Sequence, residues 1–377
     1  MKKLLLLICL TSVFFTVRAQ LDNRAFEAIR PVVESDSGNL HLEIRALGFN
    51  KDAEYFGTLI DGYTYYGFQL APQLTYQFAP NWRIEAGVWG QKDFGNSDFS
   101  AVAPLFTIRH QKGKLTSLFG TLDGSLLHRL VEPLYDFDRV FFKDRLENGA
   151  QLRIDEPGRF LDVWINWQVM QYINDTRQEE ITGGISSDTR LMQRRGWDIT
   201  LPFQMVIKHA GGQLDINPKP LTTLLNTATG LTATRKLTGR IQEFRFSPYL
   251  LFYRDASFTK LQPFRDGSGL YLNVQATVRN GLQMMISYWR GHEFQTIEGG
   301  KLYPSIGAFD PTIIRPDREV LMFRFLYTKR VNDQFSVTGR LEPHYDFRFG
   351  GFQYAFGVYF NYNDRFYLDS RNSLHNR

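Results

Sequence analysis

Ser336, Thr338, Arg340, Glu342, His344 and Asp346 occupy alternate positions of one short stretch. Residues two apart share a face of a β-strand, so the six form a single polar stripe. Arginine forks grip carboxylates and phosphates, which makes the stripe a candidate contact surface for a polar or anionic solute. A ladder of mutually paired ions would have the same composition. A second group, Glu132, Asp136 and Asp138, lies in a long segment between strand-like stretches. Clustered carboxylates suit a hard cation, but solvated loop acids are the commoner case, and no metal site is assigned. No nucleophile elbow, P-loop or His-Glu-x-x-His stretch is present. The seven histidines are scattered, and none stands at ligand spacing from another. On these grounds the chain is expected to be no enzyme and to need no cofactor.

The elements that must position these residues are strands. Phe68, Leu70, Pro72, Leu74, Tyr76 and Phe78 alternate with Gln69, Ala71, Gln73, Thr75 and Gln77. One face is apolar and the other is polar but uncharged. Near the end, Phe352, Tyr354, Phe356, Val358 and Phe360 alternate in the same way with Gln353, Ala355, Gly357, Tyr359 and Asn361. Strands are expected at 40–49, 65–78, 82–91, 100–111, 114–122, 149–155, 159–173 and 196–208. Further ones are expected at 211–217, 221–237, 240–254, 269–279, 282–290, 318–329, 334–348 and 351–362. Short connections such as Asn280-Gly281 take turns with long ones such as 123–148, 174–195 and 291–317. The region 211–254 is the least regular, because Pro218 and Pro220 interrupt pairing.

The first residues read as a secretory leader. Lys2 and Lys3 precede an apolar run from Leu4 to Phe15, and Val17-Arg18-Ala19 offers a cleavage site. Elsewhere no apolar run is long enough for a transmembrane helix. The sole cysteine, Cys9, lies in the leader, so the mature chain can form no disulfide. Three of the formal +5 charges, Lys2, Lys3 and Arg18, leave with the leader. The remainder is nearly balanced and does not point to nucleic acid.

Alternating strands, short turns on one side and long loops on the other resemble bacterial outer-membrane porins, over about residues 40–362. The likeness lies in pattern and not in a signature motif. It implies an all-β, closed antiparallel transmembrane barrel of about 16 strands (14–18) in the outer membrane of a Gram-negative cell, with short periplasmic turns and long extracellular loops. The expected divisions are a leader at 1–19, a periplasmic segment at 20–39, the barrel at 40–362 and a polar tail at 363–377. Tyr63, Tyr65, Tyr66 and Trp82 suit interfacial girdles. Porins usually end on an aromatic residue, whereas this chain ends Leu374-His375-Asn376-Arg377.

With the apolar faces toward lipid, Arg83, Glu85, Arg109, Arg324, Arg340, Glu342, His344, Asp346 and Arg348 point inward as pore-lining candidates. Ser336, His344 and Asp346 would be a hydrolase triad only on an outer face, and they lie on the inner one. The segment 123–148 holds Leu126, Leu127, Leu130, Leu134, Phe137, Phe141 and Phe142, too apolar to dangle in water. In porins the loop at this position folds inward and narrows the pore. The resemblance implies the same here, with Glu132, Asp136 and Asp138 facing basic wall residues such as Arg83 and Arg109. The expected function is passive diffusion of small polar or anionic solutes. The alternative is a non-transporting barrel subunit of a secretion, assembly or uptake complex. Expected partners are outer-membrane lipid, small solutes and possible copies of the chain or another envelope protein.

Overall fold

In the computed structural model the described residues are 21, 23–27, 29–212 and 218–370. The leader and the extreme C-terminus lie outside them. Seventeen strands form one antiparallel sheet: β1 (Asn39–Phe56), β2 (Asp61–Ala79), β3 (Trp82–Asp93), β4 (Ala101–Lys112), β5 (Leu115–Thr121) and β6 (Asn148–Glu156). Then come β7 (Arg159–Val169), β8 (Glu180–Arg194), β9 (Trp197–Ala210), β10 (Thr222–Gly230), β11 (Thr232–Lys236) and β12 (Ile241–Asp255). The last five are β13 (Asp266–Val278), β14 (Leu282–His292), β15 (Asp317–Arg330), β16 (Phe335–Asp346) and β17 (Gly351–Ser370).

Apart from β10 and β11, each strand pairs with its sequence neighbour, and β1 pairs with β17 from Asn39↔Ser370 to Glu54↔Tyr354, which closes the barrel. Strands β10 and β11 both lie between β9 and β12 and are broken only at Leu231, so they make one stave of sixteen. The expected number of staves is therefore correct, but two expectations behind it are not. The segment 174–195 contains β8, whose outward face carries Gly183, Ser187 and Thr189 and lacks a continuous apolar signal. The expected strand 211–217 is absent at Gly211 and Gly212, and 213–217 lie outside the described residues. One missed strand and one surplus strand cancel. The last strand runs on through 363–370, where a polar tail was expected, because Asn363, Asp364 and Arg365 pair with Arg45, Ile44 and Glu43.

The alternation is inside out relative to a soluble sheet. On β2, Gln73 is 5% exposed and Leu74 is 48%. On β17, Gln353 is 2% exposed and Phe352 is 70%. The outer apolar face is solvated by lipid, where every backbone group must find a partner within the sheet. Tyr66 and Trp82 stand on that outer face as expected, but Tyr63 and Tyr65 point inward. The tight turns use glycine in the left-handed region, as at Gly158 (φ 88°) and Gly281 (φ 88°).

Sixteen strands enclose more space than wall side chains can fill. Three segments enter it. Residues 122–147 fold in as 3₁₀ turns, without the α-helix that the Leu126, Leu130 and Leu134 spacing suggests. Their Val131, Leu134, Val140 and Phe141 are fully buried. Residues 293–316 follow, with Phe294 and Tyr303 fully buried. The two loops join through Asp136 N to Glu298 O (2.8 Å) and Gly300 N to Glu132 O (2.9 Å). The third segment is the N-terminal stretch, expected beneath the barrel. Phe26 instead packs inside against Leu47, Phe49, Phe137, Phe141 and Tyr359.

The wall accommodates the loops by turning apolar inward on one side. Tyr249, Leu251, Tyr253, Tyr271, Trp289, Val320 and Met322 pack against Leu130, Val131, Leu134, Tyr135, Phe294 and Tyr303. Trp289 lies flat across Gly269, where an added Cβ would come 2.1 Å from the ring. Gly269→Leu must displace Trp289 and should lower stability by roughly 1–3 kcal/mol, the usual cost of overpacking. Urea unfolding of the barrel in lipid vesicles reads this out, and an unchanged midpoint would contradict the flat packing.

Candidate functional site

The lumen brings together most of the residues singled out in the sequence, and it pairs them. Arg83 donates to Glu85 Oε1 through Nε (2.9 Å) and Nη2 (2.7 Å), and to the carbonyls of Arg30 and Pro31. Arg109 reaches Glu85 (2.9 Å) and forks onto Asp123 at 3.0 and 2.6 Å. Arg153 adds a second cation to Asp123 at 2.7 Å. Arg324 binds Glu342 (3.0 Å), Glu132, Tyr303 Oη (2.8 Å), Tyr271 Oη (3.1 Å) and Ser287 Oγ (3.1 Å). Arg340 donates to Glu342 at 2.7 Å and stacks 3.8 Å from the Phe137 ring. Asp346 takes Arg318 at 2.9 Å. His344 lies edge-on to Tyr55.

Two expectations need correction. Arg348 is not part of the barrel wall: it sits exposed in the 347–350 turn beyond β16, where it lines the mouth of the interior beside His344 and Asp346. Glu132, Asp136 and Asp138 do not face Arg83 and Arg109, whose guanidinium groups Glu85 and Asp123 already occupy. Glu132 meets Arg324. Asp138 meets Lys51 and accepts from Tyr63 Oη (2.6 Å), and Asp136 stands 3.6 Å from Lys301. Burial and neighbouring Asp138 push the Asp136 carboxyl up to about 6. Asp138 shifts down, because Lys51 and Lys301 outweigh the burial that opposes its charge. Each of the three acids faces a cation side chain.

His128, unremarked in the sequence, anchors the inward loop. Its Nδ1 is 2.9 Å from Asp162 Oδ2 and its Nε2 is 2.7 Å from Glu147 Oε2, and the ring stacks on Trp164 at 3.8 Å. Both nitrogens can donate only when the ring is protonated. Burial opposes that charge, but Glu147 and Asp162 outweigh it and push the ring up to about 10.

Among the described residues the packed lumen holds cavities at several heights. One of ≈ 120 Å³ in the short-turn half is lined by Glu27, Arg45, Gln73, Trp89, Arg109 and Asn361 among others. One of ≈ 190 Å³ lies under the long loops, against Arg318, His344 and Asp346. A smaller one of ≈ 20 Å³ is lined by Lys51, Asp138, Arg324 and Glu342 among others.

A second constellation lies outside, at the long-loop rim. His292 ends β14 and Asp317 begins β15; the two are paired, with His292 Nδ1 2.9 Å from Asp317 Oδ1. Both are exposed and face outward, since Gly291 and Arg318 beside them are buried on the inner side. Arg290 shares this face one row closer to the membrane, and Tyr288 below it donates to Glu319 at 2.9 Å. Sequence reasoning missed the pair because its members lie 25 residues apart, on either side of a long loop.

The family model described as lipid A 3'-O-deacylase-type matches residues 32–371. The chain belongs to that family. The expectation that it is no enzyme is thereby overturned, because the family is named for an enzyme activity. No curated protein sequence matches. Among solved structures, a loop-deletion mutant of OmpT from Vibrio cholerae is similar at 10% identity, with TM-score 0.52, covering 87% of this chain and 100% of that one. OpdF (OccK2) from Pseudomonas aeruginosa, in complex with glucuronate, is 10% identical with TM-score 0.50, over 90% and 100% of the two chains. An anion-selective porin from Comamonas acidovorans is 8% identical with TM-score 0.50, over 86% and 100%. These likenesses establish the porin-type barrel fold, and the exposed apolar belt around it is a lipid-facing surface.

The sign of the His128 contribution follows from its raised pKa. The stabilisation is fully present below the ordinary value near 6.5 and is lost as pH rises through about 10. His128→Asn leaves Glu147 and Asp162 without their cation and should cost about 3–5 kcal/mol near pH 6, with the deficit shrinking toward pH 10. Thermal unfolding across that range checks it. A deficit that grows with pH would refute the ion triad.

Proposed function

We propose that the chain hydrolyses an ester-linked acyl chain of an outer-leaflet lipid at the long-loop rim of β13–β15. The observation that carries this reading is the exposed, hydrogen-bonded His292–Asp317 pair at the upper edge of the lipid-facing belt. Asp317 holds the Nδ1 proton of the imidazole and leaves Nε2 free to take a proton from an attacking oxygen. Arg290 on the same face supplies a cation for a phosphate or a developing oxyanion. The family name supports the reaction class. The occupied lumen also favours it, since a lipid reaches the rim by diffusing in the membrane plane and needs no pore.

His292→Ala should reduce the release of fatty acid from ester lipid by about 10²–10⁴-fold, the usual contribution of a general base. Purified barrel in mixed micelles with lipid A or a glycerophospholipid provides the assay. Release that is unchanged in the variant removes the rim from the chemistry.

A second reading rests on the lumenal cavities. Under it the barrel passes small polar or anionic solutes, with residues 123–148 forming the waist. Its support is the polar inner wall and the cavities of ≈ 120, ≈ 20 and ≈ 190 Å³ within the lumen. Planar-bilayer recording decides it. The intact protein should conduct weakly, and deletion of 126–142 should raise conductance several-fold; no rise after deletion ends this reading.

A further inference from the structure

The rim holds a third residue in the same row. Ser268 on β13 is the direct cross-strand partner of His292, which is the direct partner of Asp317. Directly paired residues of antiparallel strands project to the same face, with Cβ atoms about 4.5–5.5 Å apart. Ser268 is exposed, and its neighbour Gly269 is buried on the inner side, so Ser268, His292 and Asp317 stand side by side on the outer surface. Among the described residues the Ser268 hydroxyl has no hydrogen-bond partner, so it is free to turn toward the imidazole. Phe252 on β12 is paired with Ser268 and is also exposed, so the row passes directly into the apolar belt.

We propose that Ser268 is the nucleophile of the hydrolase read above, with His292 as its general base and Asp317 as the group that orients the ring. The proposal rests on that reading and specifies its chemistry as a covalent acyl-serine route. Ser268 Oγ attacks the ester carbonyl while His292 Nε2 takes its proton. The tetrahedral oxyanion forms beside Arg290. The bond from carbonyl carbon to alcohol oxygen breaks, and His292 returns the proton to the departing alkoxide. Water then attacks the acyl-serine, giving its proton to His292. The fatty acid leaves, and Ser268 Oγ recovers the proton. No oxidant, metal or cofactor enters the balance. The acyl chain would lie along Phe252, Leu250 and Leu270, which continue the outward face below the row. A sugar and a glycerol hydroxyl both satisfy this chemistry as the alcohol, since the site described recognises only the ester and a nearby anion.

The test uses the full barrel, refolded in detergent, with a long-chain alkyl fluorophosphonate and, separately, lipid A and a glycerophospholipid. The expected result is a covalent adduct on the peptide containing Ser268. Ser268→Ala should abolish the adduct and lower fatty-acid release at least 100-fold, and His292→Asn should slow labelling by a similar factor. Retention of the heat-dependent gel shift by both variants confirms that they remain folded barrels. If the wild type releases fatty acid but Ser268→Ala does so equally, or the adduct maps elsewhere, the serine route is overturned and the hydrolase reading survives. If the wild type releases no fatty acid from either lipid, the reading itself fails, and the inference fails with it. Comparing the two lipids shows which alcohol the site accepts.

Discussion

The hydrogen-bonded seam between β1 and β17 is the contact on which the rest depends. A sheet in lipid cannot leave an edge open, since each unpaired backbone group there would face hydrocarbon. The seam runs from Asn39 to Glu54 along β1 and turns sixteen staves into a cylinder. Closure fixes which face of every strand meets lipid, so Leu70, Leu74 and Phe78 are exposed while Gln69, Gln73 and Gln77 are buried. It also fixes the width of the interior, and that width creates the second problem the chain must solve.

A lumen of this size is filled here with protein. Loop carboxylates meet wall cations, as Asp123 meets Arg109 and Glu132 meets Arg324, while apolar loop residues meet wall aromatics such as Tyr271 and Trp289. Buried ion pairs contribute little net stability, because desolvation offsets their attraction, but each tolerates few alternative partners. Their effect is to set register: the loops enter in one arrangement because any other leaves a charge unpaired. Apolar contacts add the attraction that the ion pairs do not. The small cavity at Lys51, Asp138, Arg324 and Glu342 lies where these pairings converge.

The barrel was legible in the sequence because lipid and lumen impose opposite solvents on alternate residues, and the pattern at 68–78 records both. Strand β8 was not legible, because its Gly183 and Gly184 dilute the alternation; Gly184 lies against the Trp164 ring. The filled interior does leave a signal in the sequence. Tyr249, Leu251 and Tyr253 alternate with Phe246, Leu250 and Phe252, making β12 apolar on both faces, and a wall strand with water on one side has no reason to be so. The lumenal charges and the meeting of loop acids with wall cations are legible in the sequence, but the actual partners are not, because Asp123 and Arg109, or Glu132 and Arg324, meet only after a loop has folded through the barrel. The rim pair was illegible for a similar reason, since register between strands, and not spacing along the chain, sets His292 beside Asp317.

A filled lumen and chemistry on the outer rim are mutually consistent. A lipid substrate, under the proposed reading, would arrive sideways through the membrane, meeting the outer wall without needing the axis of the cylinder. What such a reaction demands of the protein is a row of side chains held at the height of the ester with little freedom to drift. Adjacent strands of a closed sheet provide that, because the ladder hydrogen bonds flanking Ser268, His292 and Asp317 fix three backbones against one another. The loops packed behind this wall add stiffness: Trp289, on the inner side of β14 three residues from His292, is fully buried and donates its Nε1 proton to the Tyr303 carbonyl at 3.1 Å. The interior acts as a core that braces the outer surface, and the rim lies where rigid backbone, exposed polar side chains and the edge of the lipid-facing belt coincide.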